Sequence, residues 1–364
     1  MKNERIVLCR PRHGFNDMLV HIEKCSRYCR KYKRKLFIDG SVGGFLDDFS
    51  NYFVPRDTNI SFDKIDFLIP PFDVFPKCFS NDIYNNEFYF SSNASPYTTK
   101  DGTPITFDFK KDYKEQILIH SQGGGGVTSI LAFARFSLKK DVKLHIKEII
   151  EELKRQSGNK GKYYAIHIRN AGFQTDYKSY FNNIKSKLNK TSFLCTDDYE
   201  CQQYAKMFFG EKVKSVTDIP DLSSCPIKSL QENKYIERYK TNVDALTDLF
   251  ILACSEKIYH SSSIGGYWTS DHSLYVRPGI LSGYLVLAKS LHGNKRLIKN
   301  MLYGDANDSL SYRLAFFECC LRNIFTRIFH VFHKTFFLLT DKGILFTLKF
   351  IYWKLLKKDF RDFA

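Results

Sequence analysis

Strand-length apolar runs alternate with helix-length amphipathic segments between residues 163 and 266, and this alternation strongly constrains the fold. The predicted strands are Tyr164–Arg169, Ser192–Thr196, Val213–Val216 and Lys257–Tyr259, and the predicted helices are Phe181–Leu188, Glu200–Phe209 and Val243–Cys254. Strands that alternate with helices form a parallel sheet with right-handed crossovers. We therefore expect an α/β unit whose strands end at a common edge.

The first 40 residues show the same pattern as a strand, a loop, a helix and a second strand. The strands are Ile6–Cys9 and Leu36–Asp39, and the helix has an apolar stripe at Met18, Ile22, Cys25, Cys29 and Tyr32. The turn into the helix has neither the glycine fingerprint of dinucleotide-binding folds nor the Walker pattern. It offers a glycine, two arginines and a helix N-terminus, which together favour an anion. Its candidate phosphate-binding or acceptor-binding residues are Arg12, His13, Gly14, Asn16 and Asp17.

The strand Tyr164–Arg169 ends in a His-x-Arg pair. Because side chains alternate along a strand, His167 and Arg169 lie on the same face. A guanidinium at the carboxyl end of an α/β strand sits where such sheets bind ligands, and it suits a phosphate. The alternative is an arginine that forms a salt bridge with a neighbouring loop. Three strand ends, marked by Arg169, Asp198 and Ser262, would converge on one crevice.

A chain of 364 residues suits two domains with additions. The polar segment Gln156–Gly161 separates an N-terminal Rossmann-like, acceptor-side domain at 1–155 from a second Rossmann-like domain at 162–300. Four consecutive glycines, Gly123–Gly126, follow the predicted strand Ile117–His120. Such a glycine run can let a backbone approach a phosphate, but it more often forms a mobile turn, and we favour the turn.

The net charge of +16 indicates an anionic partner, which is nucleic acid, a membrane surface or a phosphorylated substrate. Residues 309–364 interleave aromatic and aliphatic residues with a basic excess. This pattern predicts two basic amphipathic helices that lie on an anionic membrane surface. The alternative is that they pack on the body of the protein or on a second subunit. No RNP, KH or zinc-finger pattern occurs and the charge is spread over helices, so nucleic acid is not an expected partner.

The N-terminus lacks an apolar segment of signal-peptide length, and no run of roughly 18 uncharged apolar residues predicts a membrane-spanning helix. Ten cysteines without a C-x-x-C pair fit reduced thiols better than a zinc site or a disulfide framework. We therefore expect a cytoplasmic protein, peripheral on the inner face of the membrane, with no cofactor and no metal.

Several segments, in this order, resemble those of the nodulation-factor α1,6-fucosyltransferase and its relatives, the core α1,6- and protein O-fucosyltransferases. They are His13–Leu19, Leu36–Asp39, His167–Arg169, Phe193–Asp198 and Ala245–Phe250, with Ser261–Ser263 beyond. They match the family's G-[FL]-G-D-x-L helix start, its strand ending in Asp, its His-Val-Arg motif, its Phe-Leu-x-Thr-Asp strand and its Ala-Leu-x-Asp helix. The resemblance covers residues 5–40 and 163–270. It departs at Asn16, where the family has glycine, and at Asn170, where several relatives have Arg or His.

The resemblance implies a GT-B-like α/β fold, with two Rossmann-like domains facing a cleft and, here, C-terminal amphipathic helices in addition. It also implies an inverting, metal-independent transfer from a guanosine diphosphate sugar. By similarity, Arg169 would hold the β-phosphate, and His167 and Asp248 would contact the guanine. Ser262 and Ser263 would donate hydrogen bonds to the diphosphate.

Three further acids belong to this interpretation. Asp197 and Asp198 end a matched strand and are assigned to the nucleotide-sugar site. The resemblance argues against a metal-binding pair. Asp176, in the loop after Arg169, is the candidate to accept the acceptor's proton, and a solvated loop acid is the alternative.

The sequence thus predicts an inverting glycosyltransferase that transfers fucose from GDP-fucose to a surface-polysaccharide or lipid-linked glycan acceptor. Two alternatives stay open. One keeps the fold and uses a UDP- or CMP-linked sugar. The other is a non-catalytic basic protein that binds nucleic acid or anionic lipid.

Overall fold

The structure is a computed structural model that describes residues 4–87, 97–158, 160–170, 174–219, 221, 237–267, 275–276, 278–304 and 310–326. Within these ranges the chain forms two parallel sheets, one in each half, with helices packed around them. The predicted α/β architecture is confirmed.

The first unit is built on a five-stranded sheet in the order β4–β2–β1–β6–β5, in which each pairing is parallel. A separate antiparallel pair joins β3 and β7. The elements of this unit are β1 (Ile6–Cys9), α1 (Phe15–Tyr32), β2 (Lys35–Ile38), β3 (Phe53–Pro55), β4 (Ile60–Ser61), β5 (Val74–Phe75), β6 (Ile117–His120), α2 (Ser129–Phe133), β7 (Phe136–Leu138) and α3 (Lys140–Gln156). Since β1 lies between β2 and β6, a ligand crevice is expected at the carboxyl ends of β1 and β6.

The second unit has a four-stranded sheet in the order β10–β9–β8–β11, again with parallel pairings. Its elements are β8 (Tyr164–Ile168), α4 (Tyr177–Lys185), β9 (Ser192–Thr196), α5 (Tyr199–Phe209), β10 (Val213–Lys214), α6 (Arg238–Cys254), β11 (Lys257–His260), β12 (Gly266–Tyr267), β13 (Tyr275–Val276), α7 (Gly283–Gly293) and α8 (Lys295–Tyr303). The strand order reverses between β8 and β11, so the second crevice lies at their carboxyl ends.

The two units share a hydrophobic core. One buried cluster contains side chains from α1, α6 and α7, among them Met18, Phe250 and Leu287. The Asn242 amide of α6 donates hydrogen bonds to the Phe45 carbonyl at 2.8 Å and to the Tyr52 hydroxyl at 2.9 Å. These contacts between the units fix the position of one crevice relative to the other.

Several predicted element boundaries were wrong, and for two of them the structure shows a local reason. The basic stretch from Leu138 to Arg155 predicts a helix, but Leu138 ends β7 and pairs with Phe53, so α3 begins at Lys140. The helix predicted from Phe181 begins earlier, at Tyr177, because the Asp176 side chain caps its N-terminus.

The first part of the C-terminal tail is a helix, α9, at residues 310–326. One face packs on the body, where Cys319 is buried and the Asn323 amide donates to the Val127 carbonyl at 2.6 Å. The other face exposes Phe317 and Phe325. The second predicted tail helix lies outside the described residues. In the part of the chain that the structure describes, no helix has the length and apolar character needed to cross a membrane.

Candidate functional site

At the carboxyl end of β8, His167 is a buried, uncharged imidazole. Its pKa is lowered to about 3, chiefly by burial and then by the charges of Arg169 and His260. The ring stacks on Tyr284 of α7, with ring centres 5.7 Å apart. Its Nδ1 has no hydrogen-bond partner among the described residues. A buried nitrogen without a partner is costly, so this atom is a candidate ligand contact.

Arg169 follows β8 and forms an ion pair across the edge of the sheet. Its Nη1 lies 2.5 Å from Oδ2 of Asp197, the residue that follows β9, and about a third of its side chain (32%) is exposed. Asp197 Oδ1 also accepts the backbone N–H of Asn170 at 2.9 Å. The salt bridge to a neighbouring loop, one of the two sequence interpretations, is therefore present.

Asn170 and Asp198 connect the loops after β8 and β9. The Asn170 amide donates to Asp198 Oδ2 at 3.0 Å, and its Oδ1 accepts the Thr175 N–H at 3.1 Å. Asp198 Oδ1 also caps α5 by accepting the Cys201 N–H at 2.6 Å. Asp198 is buried, and its described contacts hold the edge in place. Sequence reasoning noted Asn170 only as a departure from the family, and no local signal identifies it as a connecting residue.

Asp176, the predicted base, caps α4. Its Oδ1 accepts the Ser179 N–H at 3.0 Å, and this hydrogen bonding lowers the pKa of the carboxyl group. A carboxylate with a lowered pKa is a weaker proton acceptor. The assignment of Asp176 as the base remains a prediction.

Asp248 lies inside α6, and its carboxyl group is buried. Burial is the main cause that raises its pKa to about 8, and the nearby charge of Asp244 adds to it. The Thr217 hydroxyl donates to Oδ2 at 3.3 Å. The group therefore keeps its proton near neutral pH and can both donate and accept hydrogen bonds, as a contact to a base edge requires.

The loop after β11 carries the predicted diphosphate contacts Ser262 and Ser263. Ser263 is buried, its Oγ accepts the Gly265 N–H at 3.0 Å, and its N–H donates to the Ile280 carbonyl at 3.1 Å. Ser262 is half-buried. The neighbouring Ser261 Oγ is buried and, within the described ranges, has no hydrogen-bond partner. The Nδ1 atoms of His167 and His260, at the ends of the neighbouring strands β8 and β11, are likewise buried without a partner among the described residues.

In the first crevice, Arg12 is held by the protein. Its Nε donates to Ser121 Oγ at 3.0 Å and its Nη1 to the Val42 carbonyl at 3.2 Å, and the guanidinium lies over the Tyr97 ring. Burial, followed by the charge of Arg10, lowers the pKa of Arg12 to about 10. The arginine therefore positions the loop as well as supplying positive charge.

The helix start beyond Arg12 faces the glycine run. His13 has a positive φ of 69°, and Gly14 is the residue before α1. A Cβ atom at Gly123 would collide with the His13 ring, and one at Gly125 would lie 3.3 Å from Asp17 Oδ1. The glycines therefore allow the backbone to lie directly against α1.

Asn16 joins the two crevices. It is buried, its Oδ1 has no hydrogen-bond partner among the described residues, and its Nδ2 makes only long contacts of 3.4 Å to Asp17 and to the Gly126 carbonyl. A Cβ atom at Gly283, the first residue of α7, would lie 3.0 Å from Asn16 Nδ2. The start of α1 therefore touches the second unit.

One buried pair was missed. His21 Nδ1 lies 2.7 Å from His120 Nε2, and His120 Nδ1 lies 2.7 Å from the Thr106 hydroxyl. The only sequence signal was a histidine at the end of a predicted strand. Among the described residues no group of His, Cys, Asp and Glu side chains could hold a metal ion.

By sequence, no protein-family profile and no curated protein match this chain. Solved structures do match. The NodZ α1,6-fucosyltransferase co-crystallised with GDP has 18% identity and a TM-score of 0.51, over 79% of this chain and 92% of that one. NodZ from Bradyrhizobium gives the same identity and TM-score, over 79% and 93%. NodZ soaked with GDP-fucose has 19% identity and a TM-score of 0.50, over 81% and 92%.

These matches cover most of both chains, and at this level of identity they establish a common fold. The chain therefore has the GT-B fold, with two Rossmann-like units, on which these fucosyltransferases are built. This confirms the fold that the five sequence segments implied. The roles of the individual site residues remain predictions.

Proposed function

We propose that the chain is an inverting glycosyltransferase that transfers fucose from GDP-fucose to a glycan or lipid-linked acceptor. The observation that carries the proposal is Arg169, a partly exposed guanidinium at the carboxyl end of β8, where the strand order of the second sheet reverses. Ligands bind at such positions in α/β sheets. Structures of NodZ, which shares the fold, were obtained with GDP and with GDP-fucose.

The chemistry follows from the charges. As the acceptor oxygen bonds to the anomeric carbon, the bond from that carbon to the diphosphate breaks and negative charge develops on the β-phosphate. A fixed guanidinium stabilises this charge more than it stabilises the intact donor, so it lowers the barrier. The ion pair with Asp197 holds Arg169 in place before the donor binds.

The test is thermal unfolding with GDP, UDP, CMP and their sugars. Ligand at 100 times its dissociation constant adds about 2.7 kcal/mol of stability. We expect GDP compounds to stabilise the wild type and Arg169→Ala to lose most of this shift. Arg155→Ala is the matched control, because Arg155 is also an exposed arginine paired with a carboxylate, that of Glu152.

The other outcomes separate the alternatives. Stabilisation by UDP or CMP compounds would retain the transferase and change the donor. No response to any nucleotide, together with steeply salt-dependent binding of an oligonucleotide, would favour a non-catalytic basic protein.

We also propose that α9 brings the enzyme to the cytoplasmic face of an anionic membrane. Its exposed apolar residues recur at helical spacing, while its opposite face is packed. They are Leu310, Leu314, Phe317, Leu321, Ile324 and Phe325. Arg313 and Arg322 lie on the same helix, and cations beside an apolar stripe favour anionic headgroups.

Co-sedimentation with vesicles tests this surface. We expect binding to phosphatidylglycerol vesicles, weaker binding to phosphatidylcholine, and loss of binding in Phe317→Glu. Leu144→Glu is the control, because Leu144 is an exposed apolar residue of α3. Equal loss in both variants, or unchanged binding of Phe317→Glu, would contradict a membrane role for α9.

A further inference from the structure

Asp17 stands out at the first crevice because no lysine or arginine of the described chain neutralises it. It lies in the first turn of α1. Its contacts are the Asn16 amide at 3.4 Å and the His13 ring, whose Nδ1 is 4.0 Å from Asp17 Oδ2. A quarter of its side chain (25%) is exposed, so a ligand can reach the carboxylate.

The glycine run keeps this approach open. Gly124 has a φ of 133°, a backbone conformation that side chains disfavour. A Cβ atom at Gly125 would lie 3.3 Å from Asp17 Oδ1, in the space that a ligand atom at hydrogen-bond distance needs. The glycine backbone lies close to this face of α1. Because the segment consists of glycines, it places no side chain over Asp17.

Asp17 also lies close to the second unit. The neighbouring residue Asn16 packs against Gly283. Gly283 lies three residues after Ile280, whose carbonyl accepts a hydrogen bond from the Ser263 N–H in the loop after β11. Three residues of extended chain span at most about 10 Å. The loop after β11 and the start of α1 are therefore separated by a distance that a sugar diphosphate can bridge.

We propose that Asp17 is the general base that accepts the proton of the acceptor hydroxyl, an inference that rests on the proposed glycosyltransferase function. The acceptor oxygen forms its bond to the anomeric carbon as the bond from that carbon to the β-phosphate oxygen breaks. The electron pair of the broken bond goes to the phosphate beside Arg169. The proton goes to the Asp17 carboxylate, and from there to solvent through the neighbouring His13 ring.

The geometry of inversion favours Asp17 over Asp176. In an inverting displacement the nucleophile enters opposite the leaving group, so the base and the group that stabilises the leaving phosphate lie on opposite sides of the anomeric carbon. Asp17 and Arg169 belong to opposite units, whereas Asp176 belongs to the same unit as Arg169. Burial raises the pKa of Asp17, while hydrogen bonding to Ser179 lowers that of Asp176.

The experiment measures GDP release from GDP-fucose, with water and then with a panel of simple methyl glycosides as acceptors. Asp17→Asn keeps the size of the side chain and removes the base. We expect it to lower kcat by about 10²- to 10⁴-fold, to abolish the fall of kcat on the acid side, and to leave the thermal shift by GDP unchanged. Formate should partly rescue Asp17→Ala, which a merely structural role would not produce.

Asp73→Asn is the matched control, because Asp73 is an exposed acid of the same unit paired with Lys77 at 3.3 Å. Wild-type turnover by Asp17→Asn would overturn the proposal, and so would a comparable loss with formate rescue in Asp176 variants. A wild-type protein that responds to no nucleotide would instead overturn the proposed function, so the two failures are distinguishable. Unfolding temperatures of the variants show whether a lost rate reflects a lost fold.

Discussion

The two crevice edges are built on the same strand–loop–helix pattern, but their charged side chains have different kinds of partner. At the second edge the partly exposed guanidinium of Arg169 is paired with Asp197, and the buried His167 Nδ1 and Ser261 Oγ have no hydrogen-bond partner among the described residues. At the first edge Arg12 is occupied by Ser121 and Val42, and Asp17 carries no lysine or arginine partner among the described residues. In the proposed reaction, the second edge would stabilise the departing phosphate and the first edge would accept the proton of the acceptor hydroxyl.

The largest expected effect compares the two arginines. Arg169→Ala should lower kcat for GDP-fucose turnover by about 10²- to 10³-fold, because it removes a preorganised charge from the leaving group. Arg12→Ala should act first on stability, since each lost hydrogen bond contributes about 0.5–1.5 kcal/mol. Initial rates and urea unfolding of both variants measure the difference. An equal fall in kcat for Arg12→Ala and Arg169→Ala would contradict this difference between the two edges.

The pH dependence of the free energy of unfolding tests the second edge alone. The pKa of Asp248 is raised from 3.8 to about 8, so the folded protein keeps a proton in this window that the unfolded chain releases. Its contribution to stability is therefore lost as the pH rises from 3.8 to about 8, by up to about 1.4 kcal/mol per pH unit. Asp248→Asn removes this dependence.

The variant should consequently gain stability relative to the wild type between about pH 5 and about pH 7. Urea unfolding of both proteins across this range gives the difference. His167 titrates with the opposite sign, because its lowered pKa makes the unfolded chain the stronger proton acceptor below pH 6.5. A difference between Asp248→Asn and the wild type that does not change with pH would show that Asp248 is ionised in the folded protein.

The sequence predicts the four strands of the second sheet, β1, β2 and β6 of the first, and the position of His167 and Arg169, because apolar runs and side-chain alternation are local properties. It does not single out β4 and β5, which have two residues each. The pairing of Arg169 with Asp197 is not local. This ion pair requires that β8 and β9 are neighbours in the sheet and that the Arg169 side chain extends from the end of β8 to the end of β9. The same holds for His21 and His120, which lie far apart in sequence and meet only once α1 packs on β6. Sequence patterns locate strand ends, but packing decides their partners.

The smallest expected effect is a difference in stability between substitutions at the first and the last glycine of the run, Gly123 and Gly126. Gly123→Ala would drive a Cβ atom into the His13 ring, and overpacking of this kind typically costs about 1–3 kcal/mol. At Gly126 a Cβ atom would meet Val20 at 3.4 Å, an ordinary contact, and the change should be close to neutral. Urea unfolding measures both. Equal stability of the two variants would show that the glycine run does not lie against α1. The argument that these glycines leave Asp17 accessible to a ligand would then be wrong.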